Sequence, residues 1–222
     1  MYVEFNVPDV DGFPNGFPSY WSHVLFIGVL TDIFQINALA TTYVRLVEAA
    51  LVEHKLGKAH LLEYWSTRSS INLSAMNRSV SHFESCLSDM HRAINCFTRL
   101  RGHKFLPKGL KLILSEDQPR FVANYVAGQL RNIRNEIHHL EELVMDGRYE
   151  QGQPIALQAD GPEVPHATEA NQTIKTIDRL KIAGRELSFS DLAAWLTEMG
   201  RFAEKLGAYQ KQQHEAKRRP NG

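Results

Sequence analysis

Eight apolar residues, Leu73, Met76, Val80, Phe83, Leu87, Met90, Ile94 and Phe97, follow one another at alternating steps of three and four. That spacing keeps them on one stripe of an α-helix and on no single face of a strand. A helix this long can bury such a seam only along another helix, so helix-on-helix packing is the starting constraint. The spacing predicts a helix over 71–101, ended by "RGHKFLPKG". A second seam, Val122, Val126, Leu130, Ile133, Ile137, Leu140 and Val144, predicts another helix from about Asp117 to Asp146. Ser115 reads as its N-cap and Gly147 as its stop.

The remaining segments are shorter. From Tyr20 to about Gly57 the chain is mostly apolar at helical spacing, and reads as two helices broken near Thr31 to Gln35. "STRSSIN" at 66–72 suits a connection or a helix start, and "LKLIL" at 110–114 a short apolar turn. Residues 147–172 turn to Gly, Pro, Gln, Asp and Glu, and "TIKTIDRLKIAGRELSF" then alternates in places around a hairpin turn at "AGRE". A last helix, with Ser190 as N-cap, places Leu192, Trp195, Leu196, Met199, Phe202 and Leu206 on one face. The expected fold is mainly α. It is an antiparallel helical bundle with a small β-hairpin or sheet appendage and a C-terminal helix. The expected divisions are an N-terminal arm (1–18), the bundle (19–146), a β-element plus C-terminal helix packed on it (147–210) and a flexible basic tail (211–222).

Composition narrows the function classes. Lys plus Arg and Asp plus Glu balance at 25 each, so any nucleic-acid contact must come from a local cluster. Cys86 and Cys96 fall ten residues apart on one helix and cannot bridge each other within it. They read as buried thiols of a reducing compartment. The acidic, Pro- and Gly-broken start "MYVEFNVPDVDG" is unlike a signal peptide, and "VLFIGVL" at 24–30 is too short to span a bilayer. The expected setting is the cytoplasm, away from membranes.

Chemistry concentrates in "QLRNIRNEIHHLEEL", residues 129–143. On a helical wheel Leu130, Ile133, Ile137, Leu140 and Val144 share an arc of about 80°. Arg131, Asn135, His138, His139 and Glu142 lie opposite, with Arg134 at the border. A solvated face would be served better by Glu and Lys, because Asn and His are weaker helix formers. Arg grips a phosphate through paired N–H donors, and His moves protons near neutral pH. There is no acidic cluster for Mg²⁺, no Cys/His spacing for Zn²⁺ and no glycine-rich phosphate loop. Arg and His without metal or cofactor suit RNA cleavage by the ribose 2′-OH.

"RNEIHH" at 134–139 resembles the Arg-Asn-x-x-x-His motif of the HEPN superfamily, the higher eukaryotes and prokaryotes nucleotide-binding domain. The match is Arg134, Asn135 and His139; Arg131 with His138 also satisfies the looser spacing. The resemblance covers about residues 20–146 and implies an all-α bundle. It further implies a metal-independent endoribonuclease in which two copies dimerise through the 117–146 helix to form a composite site. Under it, Arg134 binds the scissile phosphate, Asn135 orients it, and His139 is the acid, base or 2′-OH orienter. Arg131, His138 and Arg120 are expected to contact RNA. Such enzymes act in toxin–antitoxin or phage-defence systems, often with an antitoxin partner. Other members are non-catalytic and bind nucleotides or proteins.

Overall fold

The computed structural model describes residues 1–14, 16–17, 19–20, 31–64, 72–115, 118–147, 157–182 and 184–218. Two long helices, α1 (Phe34–Tyr64) and α2 (Leu73–Arg101), pack along each other as the seam requires. They run antiparallel: the Ser79 hydroxyl donates to the Gly57 carbonyl at 2.8 Å, and His82 Nδ1 lies 2.7 Å from Glu53 Oε2. Asn72 begins α2, its side chain accepting the Ala75 N–H, and Gly102 closes it. From Val80 to Phe97 every seam residue is buried, Met76 is partly covered, and Leu73 is exposed. α1 continues through Gly57 to Tyr64, about two turns beyond the expected end. The expected helix preceding it lies largely outside the described residues.

Two expectations for the middle of the chain are corrected. "LKLIL" belongs to a helix, α3 (Lys108–Ser115), which buries Leu110 and Leu114, so Ser115 ends one helix and caps none. The next helix does not start at Asp117. Pro119, without an N–H, leads into a 3-10 turn (Arg120–Val122), and Ala123 is extended at φ −59°, ψ 140°. α4 then covers Asn124–His138. Nor does it run unbroken to Asp146: His139, at φ −113° and ψ 28°, separates it from a short α5 (Leu140–Met145). The break suits the local charges. His138 lies at the negative end of α4, and Glu141 and Glu142 lie in the first turn of α5. Gly147, at φ +64°, stops α5 as expected.

The β element is larger than the two or three strands expected. β1 (Tyr2–Phe5), β2 (Leu157–Asp160), β3 (Glu163–Pro165), β4 (Thr173–Ile177), β5 (Arg179–Ile182) and β6 (Arg185–Ser188) form two three-stranded sheets. One has the order β2-β5-β6 and is antiparallel, with Gly184 at φ +76° in the β5–β6 turn. The other has the order β1-β4-β3, with β1 parallel to β4. The N-terminal arm is therefore part of a sheet. Ser188, rather than Ser190, begins the final helix α6 (Phe189–Arg218): its hydroxyl accepts the Asp191 N–H at 3.0 Å. That helix carries its backbone through most of the expected tail.

The core is aromatic at its centre. The Phe97 ring lies 5.2 Å from Tyr43, 5.0 Å from Phe121 and 5.3 Å from Phe202, measured between centroids. It thus joins α2 to α1, to the 3-10 turn and to α6. The Tyr43 hydroxyl donates to the Met199 carbonyl at 2.8 Å, a buried tie between α1 and α6. All six of the expected apolar face residues of α6 are buried. Cys86 is buried and its thiol is pushed up by burial; Cys96 is half-buried, and both are free.

Two helical glycines should respond oppositely to alanine. A Cβ on Gly57 would sit 3.0 Å from the Phe83 ring, which is itself held against Phe189. Gly57→Ala is expected to destabilise by about 1–3 kcal/mol through overpacking. A Cβ on Gly128 meets nothing within 4 Å, so Gly128→Ala should stabilise by up to about 1 kcal/mol through helix propensity. Urea unfolding of both variants reads the two signs.

His54, almost fully buried, gives a pH signature. Burial first, and the nearby Lys58 charge second, lower its pKa from 6.5 to about 4, against the pull of Asp9. The unfolded chain therefore takes up this proton first, and stability falls as pH drops from 6.5 towards 4. The loss is about 3 kcal/mol at full extent. His54→Leu should flatten that limb of the stability–pH curve, as read from denaturant midpoints.

Candidate functional site

The polar stripe of α4 sits on a helix held from both sides. On one flank Arg185 Nε donates to Glu136 Oε1 at 2.6 Å, and Gln129 Nε2 to the Glu186 carbonyl at 3.0 Å. These bonds latch the β5–β6 hairpin to the helix. On the other flank α2 and α4 enclose a shallow groove of about 380 Å³. Ser85, Ser88, Asp89 and Arg92 line it from α2, with Glu84 behind; Arg134, Ile137 and His138 line it from α4. Arg134 and His138 are four residues apart, so they stand one above the other on the same face.

The sequence-expected residues divide between two surfaces. Arg134 and His138 share the groove. Arg131 is exposed, and its charge reaches His91 on α2. Asn135 is exposed and accepts a hydrogen bond from Arg134 Nη1 at 3.2 Å. His139 lies at the helix break, turned away from Arg134, with Nδ1 3.4 Å from Glu142 Oε2. Arg120 is exposed in the 3-10 turn, at the far end of α4. The ten residues from Asn124 to Arg134 put it roughly 15 Å or more from the groove.

Electrostatics in the groove are mixed. Burial raises the pKa of Glu84, and of Asp89 against the opposing pull of Arg92 and Arg45. Arg92 Nη1 donates to Asp89 Oδ1 at 3.3 Å. The pKa of His91 is lowered, by burial first and then by the charges of Arg134 and Arg131. Arg92, paired with Asp89, and Arg134 thus line one space with two serine hydroxyls, an imidazole and the carboxyls of Glu84 and Asp89. Within that set Arg134 and His138 can hold an anion and exchange a proton with it.

Ser85, Ser88, His91 and Arg92 were not legible as site residues. Their signal is positional: they occupy the polar side of α2 whose apolar seam is buried, and so flank α4. Among the described residues no three His, Cys, Asp or Glu side chains converge to hold a metal ion. No helix among them is long and apolar enough to cross a membrane. No protein-family model matches the chain, and no curated protein or solved structure matches it.

Because the Arg134 charge depresses the His91 pKa, Arg134→Gln should raise it. Two-dimensional NMR titration of the histidine ring protons reads this. An unchanged His91 curve would mean that the two side chains do not share one field.

Proposed function

We propose that this chain is a metal-independent endoribonuclease of HEPN type. It works as a homodimer through α4 and α5, in a toxin–antitoxin or phage-defence setting with a neutralising protein partner. The observation that carries the reading is the groove in which Arg134 and His138 stand together opposite Arg92 and the hydroxyls of Ser85 and Ser88. The "RNEIHH" resemblance supplies the reaction class.

In this reading Arg134, braced by Asn135, binds the non-bridging oxygens of the scissile phosphate. A histidine removes the ribose 2′-OH proton, and that oxygen attacks phosphorus. The P–O5′ bond breaks, and a second histidine protonates the departing oxygen. The products are a 2′,3′-cyclic phosphate and a free 5′-OH. His138 faces the groove. Arg131, seven residues before His138, lies on the same side of α4 and acts on His91 of α2. His139 faces outward, on the side where Tyr125 is 67% exposed and Gly128 leaves open space. A twin packed on that side would set its own His139 beside the first protomer's.

One observation favours a second reading. His139 is turned from Arg134 and paired with Glu142, which suits a non-catalytic nucleotide- or protein-binding module. Cleavage of total RNA and tRNA in excess chelator separates the two. The nuclease reading expects cleavage with cyclic phosphate ends. Arg134→Ala, His138→Ala and His139→Ala should each lower it by about 10²–10⁴-fold while circular dichroism and dimer mass are unchanged. Expression of the wild type, and not of these variants, should slow the host. Intact RNA with the wild type would leave the binding module.

A further inference from the structure

The end of the bundle distant from the Arg134 groove carries two aromatic rings in water. Phe34, the first residue of α1, is 76% exposed, and Phe105, in the turn after α2, is 60% exposed. The other phenylalanines and tyrosines at the centre of the fold are fully buried. The two rings border one shallow hollow of about 520 Å³, with Gln35, His103 and Lys104 between them and Asp32 at its edge. Lys104 Nζ stands 4.5 Å from the centre of the Phe105 ring, a cation–π contact that orients it.

On the Phe105 side the charge is of one sign. From residue 99 to 111 the chain reads "RLRGHKFLPKGLK", with Arg99, Arg101, Lys104, Lys108 and Lys111 and no acidic residue. None of the five forms an ion pair with a described acidic side chain, and all but half-buried Arg101 are exposed. The stretch is thus a positive pole on the Phe105 side of the hollow, with Asp32 the acidic residue in the lining, and outside it the chain is net acidic, 25 acidic against 20 basic residues once these five are taken from 25. The polar side of α2, through Ser88, Arg92, Asn95 and Arg99, leads from the groove to this pole. From Ser88 to Arg101 the path is roughly 20 Å.

From these residues we infer that the hollow between Phe34 and Phe105 docks single-stranded RNA, its bases stacked on the two rings and its phosphates held by the cations around them. Flat aromatic faces beside fixed positive charge match a polyanion with free π-faces. A duplex hides those faces, and an acidic peptide does not set one beside each anionic group. This inference rests on the ribonuclease reading for its choice of RNA. It adds a docking site, separate from the cleavage groove, that holds the strand leading into it.

The test measures binding and cleavage separately. Fluorescence anisotropy uses a labelled single-stranded RNA of mixed sequence, about 12 nucleotides long. The protein is the His138→Ala variant, so the strand stays intact. Phe34→Ala and Phe105→Ala in that background should each weaken binding about tenfold, and Phe105→Trp should retain it. Lys104→Gln with Lys108→Gln should reduce the salt dependence of binding. The same sequence as a duplex should bind more weakly. In the His138-intact protein, Phe105→Ala should raise KM for the long strand and leave cleavage of a dinucleotide unchanged.

Unchanged affinity in both alanine variants overturns the inference, as does equal binding of duplex. A wild-type dimer that the alanine variants convert to monomer overturns it in favour of a second copy covering the rings. Binding of anionic phospholipid vesicles in place of RNA overturns it in favour of a lipid surface. Ring-dependent RNA binding by a protein that never cuts RNA would keep the docking site and remove the nuclease reading. Cutting with a KM indifferent to both rings would do the reverse.

Discussion

The contact on which the rest of the molecule depends is the one around Phe97. Its ring meets Tyr43, Phe121 and Phe202, so a single side chain joins four segments that are far apart in sequence. Aromatic groups bury large areas and prefer tilted or edge-on geometry, so such a cluster sets angles as well as cohesion. Phe121 also fixes the 3-10 turn from which α4 departs, and its N–H donates to Glu198 on α6 at 3.1 Å. The direction of α4, and with it the position of Arg134 against α2, is inherited from this cluster. The groove is thus a product of core packing several turns away.

Much of this was legible in the residues, and the reason is periodicity. The seam of α2 and the apolar face of α6 are long repeats that admit one reading, and both are buried nearly as their spacing requires. The "AGRE" turn between β5 and β6 is a local signal and was equally plain. The misreadings have local causes too. Ser115 suits either end of a helix, and its role turned on Pro119, which deflects the chain into a 3-10 turn. Strand β1 could not be paired from sequence, because its partner Ile174–Ile177 lies some 170 residues away and no short pattern encodes parallel register. The break at His139 carries neither Pro nor Gly, and a seam that steps evenly across it conceals it.

The candidate site was legible by residue type and less so by arrangement. The wheel put Arg134 at the border between polar and apolar, and that border is where α2 passes, so Arg134 and His138 enter a groove that His139 does not line. Arg120 belongs with the positive end of the bundle rather than with Arg134. A chain of zero net charge nonetheless separates its cations in space: a pair in the groove and a larger set at the α2–α3 turn. Net charge hides such separation, and only the placement of helices reveals it.

The parallel pairing of β1 with β4 has a consequence for the order of folding. Tyr2–Phe5 are made long before their partner strand, which emerges only after Ile177 has been added. At ordinary elongation rates that wait is roughly ten to thirty seconds. The α1–α2 hairpin, whose contacts are nearer in sequence, has time to form during it. Strand β1 therefore waits unpaired beside a helical pair already in place. The segment after β1, residues 9–14, lines one pocket with His54 of α1, so that pocket is completed only when the last sheet closes. Synthesis and burial thus run in opposite order for this strand: β1 is made well before β4 and is enclosed only with it.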